Sequence, residues 1–562
     1  MFFLPNPVGR FQVGVTTFTT PVRPAKVIGS AKFRKDNKAA LCLQEVAFTA
    51  YYPADVDSKS KKGAPWFIRP VKAYMQGFAA FLGIPSWILW PIVYLFGAFL
   101  KMPAYPGAPL LNPANCPKDD KEPISRWPLV IFSHGLGGSR TAYSQFCSNL
   151  AASGKVVLAI EHRDGTGVMT MPRSWDGENK VQTKSVFYYR EGDICLHDSD
   201  VAATGHPLPL RGQQLAFRHH EVHITYTTLC RLVRKDPSLE IDTQDCKSYD
   251  FASWTARNSV GEEIIRHNER VALAGHSFGG CTILSLLSTP PLEGYRRIPL
   301  DKTIILDPWL DPLPSPGPFP VRHDIKTEER ASSETEVASE MDAALPGNDL
   351  NPKSEGGSHP EMLVINSEAF TLWKDHYARL KEVIAGWHPQ GGRIMTIVGS
   401  DHISFSDFPV LPTFFQKSTA RPIAEIINKL SSSFLTNRLE ETLSTLPTTN
   451  MDVITVGKKK DKYGSPKRKL AGNPGDIITE PLCRRRGRIF HAPQSVMMIH
   501  IIHFDKKYVH KFIKYVSIAP SFSSVCLVAD SSPAFEFKGR SSTMPLFDIT
   551  ASRMIATLSK PS

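Results

Sequence analysis

The chain has little of what would mark a metal-cluster, disulfide-stapled or nucleotide-binding protein. Its nine cysteines, at positions 42, 116, 147, 195, 230, 246, 281, 483 and 526, are scattered, odd in number and never spaced as Cys-x-x-Cys, which argues against a zinc cluster and a disulfide framework. No G-x-G-x-x-G run or Walker lysine accompanies its glycine-rich stretches, so nucleotide binding is not expected. Charge of one sign is also missing from most of the chain. The formal net charge is +12, yet residues from 451 onward carry 19 Lys and Arg against 8 Asp and Glu, leaving 47 against 46 in the first 450. Any pull toward anionic surfaces belongs to that tail, and composition says nothing about a substrate of the rest. The start, Met1-Phe-Phe-Leu-Pro-Asn-Pro-Val-Gly-Arg10, has no basic leader followed by an apolar stretch. With no secretory pattern, a reduced, cytoplasmic setting is the expectation.

What is present is a pattern of short apolar runs, each ending in a residue fit for acyl chemistry. Arg270-Val-Ala-Leu-Ala274 leads into Gly275-His-Ser-Phe-Gly279, followed by the helix-like Cys281-Thr-Ile-Leu-Ser-Leu-Leu287. Strand, Gly-x-Ser-x-Gly and helix together make a nucleophile elbow, with Ser277 on a tight turn that needs small neighbours. Thr303-Ile-Ile-Leu306 ends at Asp307, and Arg393-Ile-Met-Thr-Ile-Val398 runs into Gly399-Ser-Asp-His402. A carboxylate and then a histidine, both past strand ends and downstream of the serine, are the acid and base that such an elbow requires. Asp311 and Asp401 are rival acids, and His134, His162 and His276 rival bases. They rank lower: Asp401 would have to fold back onto its neighbour, Asp311 lies beyond the strand end, and His276 occupies the variable elbow position, which normally points away from the nucleophile. Pro128-Leu-Val-Ile-Phe132 reads as another buried strand and opens onto Ser133-His-Gly-Leu-Gly-Gly138. The backbone N–H groups of Leu136 and Phe278 are the candidate oxyanion donors.

These stretches, with Ile160-Glu-His-Arg-Asp164, Leu306-Asp-Pro-Trp309, Leu363-Val-Ile-Asn-Ser-Glu368 and the aromatics Phe405 to Phe408, resemble the plasma and intracellular type II platelet-activating factor acetylhydrolase family, in a fungal-like form. The resemblance runs from about Gly9 to Leu435. It implies an α/β-hydrolase fold, with a mostly parallel central sheet flanked by helices. It assigns Ser277, Asp307 and His402 as triad and Leu136 and Phe278 as oxyanion amides, in agreement with the residues' own pattern. It further implies a calcium-independent esterase, with no metal or organic cofactor, that removes an acetyl or short oxidised acyl group from the sn-2 position of a phospholipid. Another carboxylesterase or polyesterase of the same fold is one alternative; a non-catalytic membrane or nucleic-acid binding relative is the other, nucleic acid being the less expected partner.

The expected domain spans 1–440. Residues 74–100, with no charged residue, are long enough to cross a bilayer, but Pro85 and Pro91 break helical continuity and the flanking strands should share one sheet. An interfacial insertion at a membrane or lipid-aggregate surface, with Trp87, Trp90 and Tyr94 as lipid-facing candidates, fits better. Residues 169–212 read as a polar insertion and 326–358 as a disordered one. Residues 213–233 and 420–439 have helical spacing, and 441–562 read as a basic, largely disordered tail with no assigned function. Nothing in the sequence speaks to oligomeric state.

Overall fold

The structure is a computed structural model and describes residues 2–480 apart from 58, 94–98, 117–123, 176–184, 197–207, 245, 247–248, 316, 318–358, 388–392, 412–416 and 461–465. The insertion expected at 326–358, Tyr94 and the tail beyond 480 lie outside the described residues.

Apolar runs too short for helices, and too continuous for a half-solvated sheet, condense into one central sheet. Its principal strands are β1 (Val13–Val27), β2 (Cys42–Pro53), β3 (Trp127–Ser133), β4 (Val156–Glu161), β5 (Val271–His276), β6 (Leu300–Leu306), β7 (Glu361–Ser367), β8 (Arg393–Ile397) and β9 (Ile477–Glu480), in spatial order β1-β2-β4-β3-β5-β6-β7-β8-β9. β1 and β2 are antiparallel, and β2 is antiparallel to β4. From β4 to β8 every neighbouring pair is parallel. Parallel strands must be covered on both faces, and β4 and β5 are buried along their whole length. The cover comes from helices α3 (Ser144–Ala152), α4 (Pro209–Val233), α5 (Phe278–Leu287), α6 (Lys374–Trp387) and α7 (Ala420–Leu435). Between β3 and β5 the chain order reverses direction. Such a switch point opens a crevice at the carboxyl ends of the strands, where ligands bind.

Residues 74–92 do not form one span. They fall in helices α1 (Val71–Leu82) and α2 (Ser86–Ile92), separated where Gly83 takes φ +68° and the Ile84 N–H bonds the Ala79 carbonyl at 3.0 Å, a left-handed helix stop. Among the described residues no helix is long and apolar enough to cross a membrane. One face of α1 is buried through Tyr74, Met75, Gly77 and Ala79, against Val168 and Met169 at the start of the polar insertion. The described parts of that insertion are tied back by short strands, Met169–Thr170 to Val186–Phe187 and Ile194–Cys195 to Lys32–Phe33.

One boundary moves. The tail expected from 441 carries, in its first forty residues, a helix (Leu439–Ser444), a hairpin (Val453–Lys460 with Pro466–Leu470) and β9, which pairs antiparallel with β8. Basic clusters concealed this from the sequence, because β9 is four residues long and shows no alternation. Ile477 is fully buried in the main core cluster with Met395, Ile397 and Ile423. Replacing a buried Ile by Ala removes transfer energy and leaves a cavity, costing about 2–5 kcal/mol. Ile477→Ala is therefore expected to destabilise the protein by that amount in denaturant unfolding followed by tryptophan fluorescence; a tail outside the cooperative unit would leave the midpoint unmoved.

Candidate active site

Three loops leaving the ends of β5, β6 and β8 meet at one point. At the end of β5, Ser277 takes φ 56°, ψ −118°, a conformation most side chains avoid. The turn is tight enough that a Cβ on Gly279 would lie 2.0 Å from the Ser133 carbonyl oxygen and one on Gly275 2.5 Å from that of Gly279. Only glycine fits on either side of the serine. At the end of β6, Asp307 also has positive φ, 43°, and is fully buried. His402 follows β8 and is partly exposed, with 22% of its side chain accessible.

His402 Nε2 lies 2.9 Å from Ser277 Oγ and its Nδ1 2.7 Å from Asp307 Oδ2. The Asp307 carboxylate also accepts from the Ser367 backbone N–H at 2.7 Å and from the Ser367 hydroxyl at 2.8 Å. Three donors thus stand in for the water that burial removes from this carboxylate. Ser367 itself is fixed as the N-cap of the short helix Glu368–Thr371, its Oγ accepting from the Phe370 N–H. The imidazole of His402 is held in plane as well: Phe370 stacks on one face, centroids 4.4 Å apart and planes within 5°, and the His276 ring lies 4.6 Å away, tilted by 38°.

The loop after β3 closes the fourth side. A Cβ on Gly135 would stand 2.8 Å from the Ser277 Cβ, so only glycine lets this loop approach the serine so closely. Leu136 follows it, half-buried, and Phe278 opens α5, where the first amide has no partner within the helix. Neither N–H donates to a protein acceptor among the described residues. The loop is tied down from behind. Gly137 N–H bonds Thr166 O at 2.8 Å, and Arg218 of α4, fully buried, reaches Asp164 at 2.8 Å, the His134 carbonyl at 2.7 Å and the ring of Phe278 at 4.5 Å.

The rival residues separate cleanly. His134 and His162 sit in this rear network; burial and the Arg218 charge push His134 down to about 3 and His162 well below the ordinary imidazole range, so both are neutral props. Asp311 accepts from Trp309 Nε1 and Asp401 pairs with Lys417 on the surface. His276 is not the histidine that bonds Ser277 Oγ but packs against His402, the one that does. Its Nδ1 lies 2.8 Å from the Tyr143 hydroxyl, which accepts from Gly135 N–H, and burial followed by the neighbouring His402 holds it uncharged. His276, Asp307 and His402 bring ligand-type atoms within 4.8 Å of one another, but His402's two nitrogens and the Asp307 carboxylate already have hydrogen-bond partners.

Trp87 is 65% exposed, Trp90 half-buried, and Tyr94 undescribed. Their hairpin borders the site: Tyr74 bonds Ser139 at 3.1 Å, the Phe81 ring touches Gly137, and Phe78 packs on Phe408 beyond the histidine.

Sequence reasoning overlooked Ser367, Phe370, Tyr143, Arg218 and Asp407. Asp407, fully buried five residues after His402, accepts from Trp66 Nε1 at 2.8 Å, Ser144 N–H at 2.9 Å, Ser144 Oγ at 2.6 Å and Gln145 N–H at 2.9 Å, fastening the histidine loop to the N-terminus of α3. Its only visible signal was its place within the Phe405 to Phe408 stretch.

The strand order, with serine, carboxylate and imidazole after β5, β6 and β8, defines an α/β-hydrolase. Residues 3–319 match the family described as platelet-activating factor acetylhydrolase, isoform II, and the chain belongs to that family. The match includes Ser277 and Asp307 and ends before His402. A platelet-activating factor acetylhydrolase of Canis lupus familiaris is 30% identical over 271 residues, 47% of this chain and 50% of its own. One from Gallus gallus is 26% identical over 410 residues, 70% and 78% respectively. The chain thus spans about half the length of the canine relative. A solved ferulic acid esterase from Streptomyces cinnamoneus is 15% identical, with a TM-score of 0.41, covering 78% of this chain and 92% of its own.

Burial outweighs the donors around Asp407 and raises its carboxyl to about 6, against 3.8 for the free side chain. A carboxyl raised on folding contributes stability below its unfolded pKa that is lost as pH rises through the folded one. Wild type should therefore lose about 2 kcal/mol more than Asp407→Asn between pH 4 and pH 7, since each tenfold change in proton affinity is worth about 1.4 kcal/mol and part of the shift lies below pH 4. Parallel denaturant titrations at the two pH values check this; equal losses would show Asp407 ionising as a free carboxyl does.

Proposed function

We propose that this protein is a calcium-independent serine esterase that hydrolyses the sn-2 acetyl, or short oxidised acyl, ester of platelet-activating factor-like phospholipids. The reading is carried by the unbroken hydrogen-bonded series Ser277–His402–Asp307, beside two amides with no protein acceptor among the described residues, in a chain of this family. In this reaction Ser277 Oγ attacks the sn-2 carbonyl carbon as His402 Nε2 takes its proton. The new positive charge on the imidazole is met by Asp307, which already receives the Nδ1 hydrogen. The carbonyl oxygen becomes an oxyanion facing the N–H groups of Leu136 and Phe278. Collapse breaks the ester bond, and His402 returns the proton to the departing lysophospholipid oxygen. Water, deprotonated by His402, then attacks the acyl-serine; the second tetrahedral intermediate expels Ser277, releasing acetate or the short acid.

The helical hairpin α1–α2 supports a lipid-surface role. It rests on both the oxyanion loop and the histidine loop and carries Trp87 at its exposed end. Phe2, Phe3 and Phe99, each over 40% exposed, add apolar surface near its base, where the Phe2–Phe3 strand pairs with Leu100–Lys101. Aromatic side chains of this kind suit the headgroup level of a bilayer, and a substrate drawn from a lipid aggregate would enter beside them.

Ser277→Ala should lower hydrolysis of both a 2-acetyl phospholipid and p-nitrophenyl acetate by several orders of magnitude, because triad members act as a unit; near wild-type turnover would exclude the elbow serine as nucleophile. Trp87→Ser should weaken binding to phosphatidylcholine vesicles in sedimentation by about tenfold while leaving p-nitrophenyl acetate turnover within about twofold, since an interfacial Trp contributes of the order of 1–2 kcal/mol of apolar burial. Unchanged vesicle binding would remove Trp87 from the lipid-facing surface.

A further inference from the structure

The loop that carries His402 leaves β8 at Ile397 and is gripped there by chain that follows the closing helix α7. Val398 N–H bonds the Asp476 carbonyl, and the Val398 carbonyl accepts from Gly475 N–H, both at 2.9 Å. Gly399, at φ +74°, lies so close to Pro474 that a Cβ would stand 2.9 Å from the proline's Cβ. Below these contacts Val398, Leu470 and Ile478 form a small buried cluster of their own. The two segments are also joined through a third. Glu368 accepts from Gly399 N–H at 2.6 Å through one carboxylate oxygen and from Leu470 N–H at 3.0 Å through the other. Glu368 directly follows Ser367, the residue that holds Asp307. One side chain therefore links the support of the acid, the root of the base loop and the segment beyond α7.

We propose that residues 466–480 are a positioning element for the reaction, clamping the root of the base loop so that His402 reaches Ser277 and Asp307 at once, and that Glu368 is the positioning residue through which the clamp acts. This rests on the reading of His402 as general base. Only two residues, Ser400 and Asp401, separate Gly399 from His402, so a shift at the root is passed to the imidazole almost undiminished, and a displacement of about 1 Å at reacting groups can cost about a hundredfold in rate. A mere cover for the sheet edge would need β9 and its hydrogen bonds to β8; it would need neither the Gly399–Pro474 contact nor the bridge through Glu368.

The test uses the full chain and the soluble substrate p-nitrophenyl acetate, so that lipid binding does not enter. Glu368→Ala should lower kcat about 10- to 100-fold with KM within about twofold. Glu368→Gln, which keeps one acceptor oxygen, should recover part of that loss. Gly399→Ala disturbs the same junction from the other side, driving a Cβ against Pro474 at a positive-φ position, so adding it to Glu368→Ala should lower kcat by less than the product of the two single effects. The rate of labelling by a fluorophosphonate probe should fall in step with kcat. Folded Glu368→Ala with kcat and labelling within twofold of wild type would overturn the proposal, as would fully multiplicative losses in the double variant. If Glu368→Ala does not fold, the isosteric Glu368→Gln is judged by the same twofold limit. Failure of wild type itself to label with the probe would instead strike at the serine-esterase reading, so the two failures are told apart.

Discussion

An imidazole can take a proton from an alcohol only while its other nitrogen is held and its ring kept from turning. In this molecule the holding group is a carboxylate with no contact with water, placed there by a strained backbone at the end of β6. Burying that charge alone would be costly, and the structure meets the cost with Ser367, whose amide and hydroxyl both point at Asp307. The serine's orientation comes in turn from its place as a helix cap, and the ring of His402 is pinned by Phe370 from the same short helix. The end of β7, through Ser367, and the short helix that follows it, through Phe370, both bear on this one contact.

Behind the serine lies a second buried system with a different task. Arg218 and Asp164, both fully inaccessible, are paired at 2.8 Å, and the remaining guanidinium hydrogens reach the His134 carbonyl and Thr166. Arg163 meets Glu45 at 2.6 Å one layer away. A buried pair of this kind adds little net stability, but loss of one partner costs about 3–5 kcal/mol. The loop bearing Gly135 and Leu136 is therefore fixed by groups that leave their arrangement only at high cost, which, under the proposed esterase reading, suits amides that point at a charge before it forms.

The apolar runs at 128–132, 270–274, 303–306 and 393–398 were legible as strands because parallel strands buried on both faces must be continuously apolar. Their terminal residues were legible as chemistry because the order Ser, Asp, His, each past a strand end, is rare in a chain without that use. The supporting groups were not. Asp407 and Glu368 look in sequence like any loop or helix-start acid, and only the fold reveals that one sits at the head of α3 and the other between two backbone amides. The variable position of an elbow predicts a His276 that points away from the centre; the turn instead brings its ring to 4.6 Å from that of His402, tilted by 38°. The domain boundary at 440 fell short because the strand that completes the sheet is four residues long and lies downstream of lysine-rich sequence.

β9 has one further consequence. It occupies the outer rim of β8, which would otherwise present a row of unsatisfied amides and carbonyls beside Ile394 and Ile397, an open invitation to another copy of the same strand. A shortened chain stopping after α7 would carry that adhesive rim into solution. The hazard it would carry is colloidal self-association along that rim rather than any fault in the remainder of the architecture.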